Sequence, residues 1–238
     1  MKLSAMLLRF SAVCILAAIT TTLASAFEGK IEMKTTSSHN KEDMLSTMFL
    51  KGTRMRMEMA TPPDKHNKEA GTFAMIINME TRESTMLMDK EKMYMVHKIP
   101  EPSAEKTASK NSAIEFKPTG RKEKIAGYDA EEYSGLSDKK YVEVWVTKEM
   151  GKVIMANQGK GGKQTPASAW QKFAEQNDFF ALRTVMRAKE GGPEEMRMEV
   201  TKIEKGPLPD SLFQPPADYT KFEMPSMGDM MKGMIPGR

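Results

Sequence analysis

The side chains best suited to chemistry in this sequence are thioethers, since 24 of the 238 residues are methionine. Five of these, Met224, Met227, Met230, Met231 and Met234, crowd a Gly-containing C-terminal stretch expected to be disordered. A thioether sulfur is a soft ligand suited to Cu(I), and an exposed methionine is also oxidised reversibly to the sulfoxide. The tail is therefore a candidate for soft-metal binding or oxidant buffering, against the competing reading of a plain solvated end. Other reactive groups do not fall into catalytic patterns. His39, His66 and His97 are far apart and lack a His-x-x-x-His or similar spacing, so no zinc or non-haem iron site is indicated. Gly135-Leu136-Ser137 is followed by Asp138 and does not complete a nucleophile elbow. Glu131-Glu132 and Glu194-Glu195 are adjacent and would point to opposite faces of a strand, which disfavours an acid/base pair within either. The Gly159 to Lys163 run lacks the spacing of a phosphate-binding loop. The expectation is a protein without catalytic residues, cofactor or firm metal site, and so not an enzyme.

Most remaining methionines recur at alternate positions, the period of a strand. Phe27, Gly29, Ile31 and Met33 form one such face. Met55, Met57 and Met59 form another, ending at Pro62-Pro63, which cannot continue a ladder. The run Phe73 to Met79 is apolar on both faces near its middle and belongs inside a sheet or under a covering element. Met86 and Met88, then Met93, Met95 and the Tyr94/Val96 face, flank Asp89 to Lys92, which reads as a hairpin turn. The best-patterned stretch is Lys124 to Tyr133 followed by Tyr141 to Val146, read as one β-hairpin about a polar turn over 134–140. Residues 100–110 read as a long surface loop, and Val153 to Met155 as a short further strand. Thr165-Pro166 is an N-cap followed by proline at the first helical position, and Trp170, Phe173, Ala174 and Asn177 then share one helical face. A single amphipathic helix in a β-rich chain must bury that face on the sheet. Phe180 to Met186 and Met196 to Val200 resume strand alternation, and Phe213 and Tyr219 are packing anchors in the Pro-rich end.

The fold class expected is mainly β (α+β): a curved antiparallel sheet or incomplete barrel closed over by one helix spanning residues 166–177. Met75, Ile77, Trp145, Trp170 and Phe173 are the candidates to wall an apolar cavity between sheet and helix, with Trp145 and Trp170 facing it. Flexible thioethers lining such a cavity would adapt to varied ligands, although the same methionines would also pack an ordinary core.

Lys2 and Arg9 flank the start of an apolar run that ends in Ala24-Ser25-Ala26, the pattern of a secretory signal peptide over residues 1–26. A retained anchor is disfavoured, because Arg9 and Thr20 to Thr22 leave the run short of the ~20 residues a span needs. Cleavage after Ala26 removes the sole cysteine, Cys14, and with it any disulfide or thiolate chemistry. It also removes Lys2 and Arg9, so the formal charge of +4 falls to +2. In that near-neutral, interleaved balance no nucleic-acid footprint is indicated. The mature chain would hold one β-rich domain over 27–223 and the Met/Gly tail over 224–238, without an integral membrane span.

Phe27-Glu28-Gly29-Lys30-Ile31, Ile125-Ala126-Gly127-Tyr128, Val144 to Glu149, and Pro209-Asp210-Ser211-Leu212-Phe213 with Pro216-Ala217-Asp218-Tyr219 resemble the bacterial envelope family catalogued as domain of unknown function 4412. That family is similar in architecture to the periplasmic lipoprotein carriers and outer-membrane lipoprotein receptors. The resemblance implies a half-barrel in the periplasm or cell envelope of a Gram-negative bacterium, with a lipid-like ligand or an envelope protein as partner. It carries over no catalytic residue.

Overall fold

The computed structural model describes residues 27–39, 43–61, 71–99, 115–137, 139–150 and 169–223. The signal-peptide stretch, the 100–110 loop, the expected strand at Val153 to Met155, the Thr165-Pro166 cap and the five tail methionines lie outside the described residues. Alternating side chains leave each run of backbone to find its partners in a neighbouring strand. Among the described residues, twelve strands do so in one open sheet. In chain order they are β1 (Glu28–Ser37), β2 (Met44–Lys51), β3 (Arg54–Thr61), β4 (Gly71–Asn78), β5 (Glu83–Met88), β6 (Met93–Lys98), β7 (Lys117–Ile125), β8 (Tyr128–Ser137), β9 (Lys140–Thr147), β10 (Phe180–Arg187), β11 (Glu194–Lys205) and β12 (Thr220–Lys221). One helix, α1 (Ala169–Gln176), precedes β10, and a 3-10 turn covers Asp210–Phe213. The sheet is curved, with strand order β12-β6-β5-β4-β3-β2-β1-β11-β10-β9-β8-β7. All pairings are antiparallel except the last: β12 runs parallel to β6, where the C-terminal segment returns to cover that edge.

The stretch read as one hairpin is three strands. Ala126 and Gly127 both have positive φ, 48° and 90°, the geometry of a tight two-residue turn. They divide the run into β7 and β8 with Ile125 opposite Tyr128. The supposed polar turn is mostly strand, because Ser134, Gly135 and Leu136 pair with Glu143, Val142 and Tyr141. Gly135 is needed there: a Cβ would stand 2.5 Å from the Glu115 carbonyl oxygen and 3.2 Å from the Phe116 ring.

Burial is divided among three clusters. The largest unites Ile31, Met33, Met48, Leu50, Met75 and Ile77 with Phe180, Leu182 and Trp145. The second lies on the other face of β9, where Val142, Val144 and Val146 pack against Phe173 of α1 and against Phe116. The third lies on the other face of β4, where Ala74 and Ile76 pack with Leu87 and Phe213. The anchor Phe213 is buried beneath the Arg54 guanidinium, 5.1 Å from its ring centre. Tyr219 donates a hydrogen bond from its hydroxyl to Asp89 at 2.8 Å. The chain leaves β6 beside one sheet edge and re-enters at β7, the opposite edge.

Candidate functional site

Register turns the methionine alternation into a continuous feature. Met48 on β2 is directly opposite Met57 on β3, Met57 opposite Met75 on β4, Met75 opposite Met86 on β5, and Met86 opposite Met95 on β6. Five thioethers therefore form one rung across five adjacent strands. Directly opposed residues bring their Cβ atoms to ~4.5–5.5 Å, within reach of flexible side chains. The neighbouring rung runs Met59, Phe73, Met88, Met93, and the rung beyond Met57 on the other side runs Met55, Ile77, Ser84, His97. Met48 and Met75 are buried, whereas Met57, Met86, Met88, Met93 and Met95 keep partial exposure. The opposite face of these strands is already used: Phe49, Ile76, Leu87 and Tyr94 pack with Phe213 and Leu212 of the C-terminal segment. That segment is tied down by Lys51 to the Leu208 carbonyl at 2.6 Å and by Arg54 to Asp210 at 2.8 Å.

The five expected wall residues are not brought together. Met75 and Ile77 lie in the methionine field, Trp145 joins the same large core further along the sheet, and Phe173 and Trp170 belong to the cluster on the other face of β9. Trp145 cannot face Trp170 across one cavity, because it alternates with Val144 and Val146, the residues that α1 covers. Among the described residues the space beneath the helix is filled by aromatic rings. Phe173 stacks on Phe116 at 5.2 Å and contacts Tyr133 at 5.0 Å and Phe179 at 5.6 Å. A void of about 10 Å³ beside Trp170, Ala174 and Phe180 holds one water at most.

Trp145 instead sits in a charged setting. The guanidinium groups of Arg121 and Arg183 lie 5.8 Å and 5.5 Å from its ring centre. Glu132, directly opposite Trp145 on β8, is buried and accepts both a two-pronged contact from Arg121 and a hydrogen bond from Thr119. Arg183 bridges Glu123 at 2.7 Å and Glu199 at 2.8 Å. Its hydrogen bond with Glu123, followed by that with Glu199, raises its pKa, and Arg183 holds both carboxyls below the ordinary glutamate range. Arg121 and Arg183 pair with the carboxylates around them, so the network ties β7 to β11. Among the described residues no three His, Cys, Asp or Glu side chains converge as metal ligands, and no helix is long and apolar enough to cross a membrane.

An open groove of about 610 Å³ runs along β7, β8 and the end of β9, lined by Lys122, Lys124, Asp129, Glu131, Lys148 and Phe179. Its lining carries charges of both signs. The methionine rungs are what the sequence reading missed. Their signal is Met-x-Met on β5 answered by Met-x-Met-x-His on β6, a match set by cross-strand register and not by spacing along the chain.

The family described as domain of unknown function (DUF4412) matches residues 27–219. No curated protein sequence matches the chain. Among solved structures, PNGF-II is similar at 18% identity and a TM-score of 0.41, over 87% of this chain and 33% of that one. MucB is similar at 9% identity and a TM-score of 0.41, over 83% of this chain and 60% of that one. A LolA superfamily protein from Nitrosomonas europaea is similar at 14% identity and a TM-score of 0.31, over 80% of this chain and 90% of that one. This chain thus spans about a third of the length of PNGF-II and three-fifths of that of MucB.

Proposed function

The chain belongs to the family described as domain of unknown function (DUF4412), a membership that assigns no chemistry, and we propose that it is a non-enzymatic protein of the cell envelope that holds a lipid-like, apolar chain against the methionine rungs of β2 to β6. The observation that supports this reading is the unbroken row Met48, Met57, Met75, Met86, Met95, buried at one end and partly exposed at the other. Unbranched, polarizable side chains adapt to a flexible ligand without a preformed shape. The opposite face of the same strands is occupied by the C-terminal segment, and α1 is committed to β8–β10, so among the described residues neither element covers the rungs. Export through the Met1 to Ala26 segment would place the protein where such chains are handled.

The test is native mass spectrometry of the chain purified from its own envelope, with lipid extraction of the same sample and displacement of a fluorescent fatty acid. A stoichiometric apolar ligand, lost in M86K/M95K while the far-ultraviolet circular dichroism is kept, is the expected result. Wild-type protein that carries no lipid and does not take up the probe would overturn the reading.

A further inference from the structure

The outer end of the methionine field has a second character that does not depend on ligand uptake. On the hairpin of β5 and β6, Met86 and Met88 stand opposite Met95 and Met93, and His97 continues the same face two residues beyond Met95, opposite Ser84. Four thioethers and one imidazole therefore project from one face of a single hairpin, all five partly exposed. Met86 and Met95 are directly opposed, and His97 lies on the diagonal from Met86, at Cβ separations of ~5 and ~7–8 Å that side chains of this length can close. His97 has no hydrogen-bond or ion-pair partner among the described residues. The charged residues of the two strands, Glu83 and Lys98, are directly opposed on the other face, where they pair with each other at 2.8 Å. The donor set facing the field is thus neutral and soft.

We propose that Met86, Met95 and His97, with Met88 and Met93 beside them, form a binding site for a soft monovalent cation, Cu(I). Thioether sulfur with imidazole nitrogen is a donor set that favours Cu(I) over hard cations such as Mg²⁺ or Ca²⁺. A neutral set leaves the bound ion its single positive charge at a partly exposed position, where water limits the cost of burial. The hairpin is short and ordered by its own ladder, so the ligands are presented on strands and not on a loop.

The site is tested on the full chain by titrating Cu(I) against a chromophoric cuprous chelator, and by titrating Ag(I), a redox-inert surrogate, while following methionine methyl and histidine ring resonances. The variants are M86L/M95L and H97A, with a third in which the five tail methionines, Met224 to Met234, become leucine. Leucine keeps the apolar volume and removes the sulfur. The expected result is roughly a tenfold to hundredfold loss of affinity in M86L/M95L and in H97A, the scale of losses seen when metal sites are disturbed, with binding kept in the tail variant. Ag(I) should shift the Met86, Met95 and His97 resonances. Binding lost only with the tail methionines, resonance shifts confined to the tail, or no binding at all would overturn the proposal. Fatty-acid displacement by H97A, a residue outside the row Met48 to Met95, separates the two functions: it should be unchanged whichever way the metal titration falls.

Discussion

Met75 and Met86 are direct cross-strand partners with different surroundings: Met75 is 7% exposed and belongs to the large core, and Met86, one strand outward, is only partly buried. The same side chain should therefore carry different weight at the two positions. Truncating Met75 to alanine leaves a hole in packed surroundings and is expected to lower stability by about 2–5 kcal/mol. Truncating Met86 should lower it by about 1 kcal/mol or less. Equilibrium denaturation of M75A and M86A checks this, and equal losses would mean that the rung is uniformly core and not a core that opens into a surface.

A gradient of exposure also predicts a gradient of oxidation. Partly exposed thioethers are converted to sulfoxide before buried ones. Under dilute peroxide, peptide mapping should find Met44, 42% exposed, and then Met57, Met86, Met88, Met93 and Met95 modified before Met33, Met48, Met55, Met75 and Met150, all at or below 7% exposure. Similar rates in both groups would show that the outer strands are covered in solution.

The contrast between these two groups marks how far the sequence could be read. Alternation alone located most strands and put the methionines on one side of each. It could not show that Met48, Met57, Met75, Met86 and Met95 share one rung, because register is fixed by turns and by long-range pairing. β2 went unread because both its faces are apolar: Met48 and Leu50 enter one core while Phe49 packs in another. β7 was missed for the opposite reason. It is an edge strand, and Lys117, Pro118, Lys122 and Lys124 give it the charged, proline-bearing surface that discourages further pairing. Trp145 and Trp170 looked like partners because each is a large aromatic, yet strand parity sends them to opposite faces.

The charge network around Trp145 should be visible in acid. Glu123 and Glu199 have lowered pKa values, each with hydrogen bonding from Arg183 as the chief cause. A carboxyl whose folded-state pKa is depressed contributes stability that is fully present above its unfolded value, near 4.5, and is lost as pH falls through the folded value. Thermal unfolding should therefore be level from pH 7 to about 5 as far as these two groups are concerned, and the melting temperature should drop below that. In Arg183→Met both carboxyls return toward their ordinary range. The variant should start from a lower melting temperature and fall less steeply in acid, and an acid limb parallel to wild type would remove Arg183 as its cause.

Gly29 offers a test of the seam between the two parts of the sheet. β1 pairs on one side with β2 and on the other with β11, so it joins the methionine-bearing strands to the strands that hold Trp145 and α1. At Gly29 a Cβ would fall 2.2 Å from the Glu204 carbonyl oxygen, a backbone atom that cannot turn aside as a side chain could. Alanine there must push β1 and β11 apart locally. The expected loss is about 2–4 kcal/mol, with faster amide exchange at Lys30 and Ile31 and at their partners Glu204 and Ile203. Gly52→Ala is the matched control. Gly52 sits at φ 58° with nothing within 4 Å of an added Cβ, so alanine there carries only the left-handed penalty of about 1–2 kcal/mol and should leave exchange along the β1–β11 ladder unchanged. If Gly29→Ala matched this control in both stability and exchange, the approach of Glu204 would not be tight, and the seam would owe its order to side-chain packing around Ile31 and Ile203 instead.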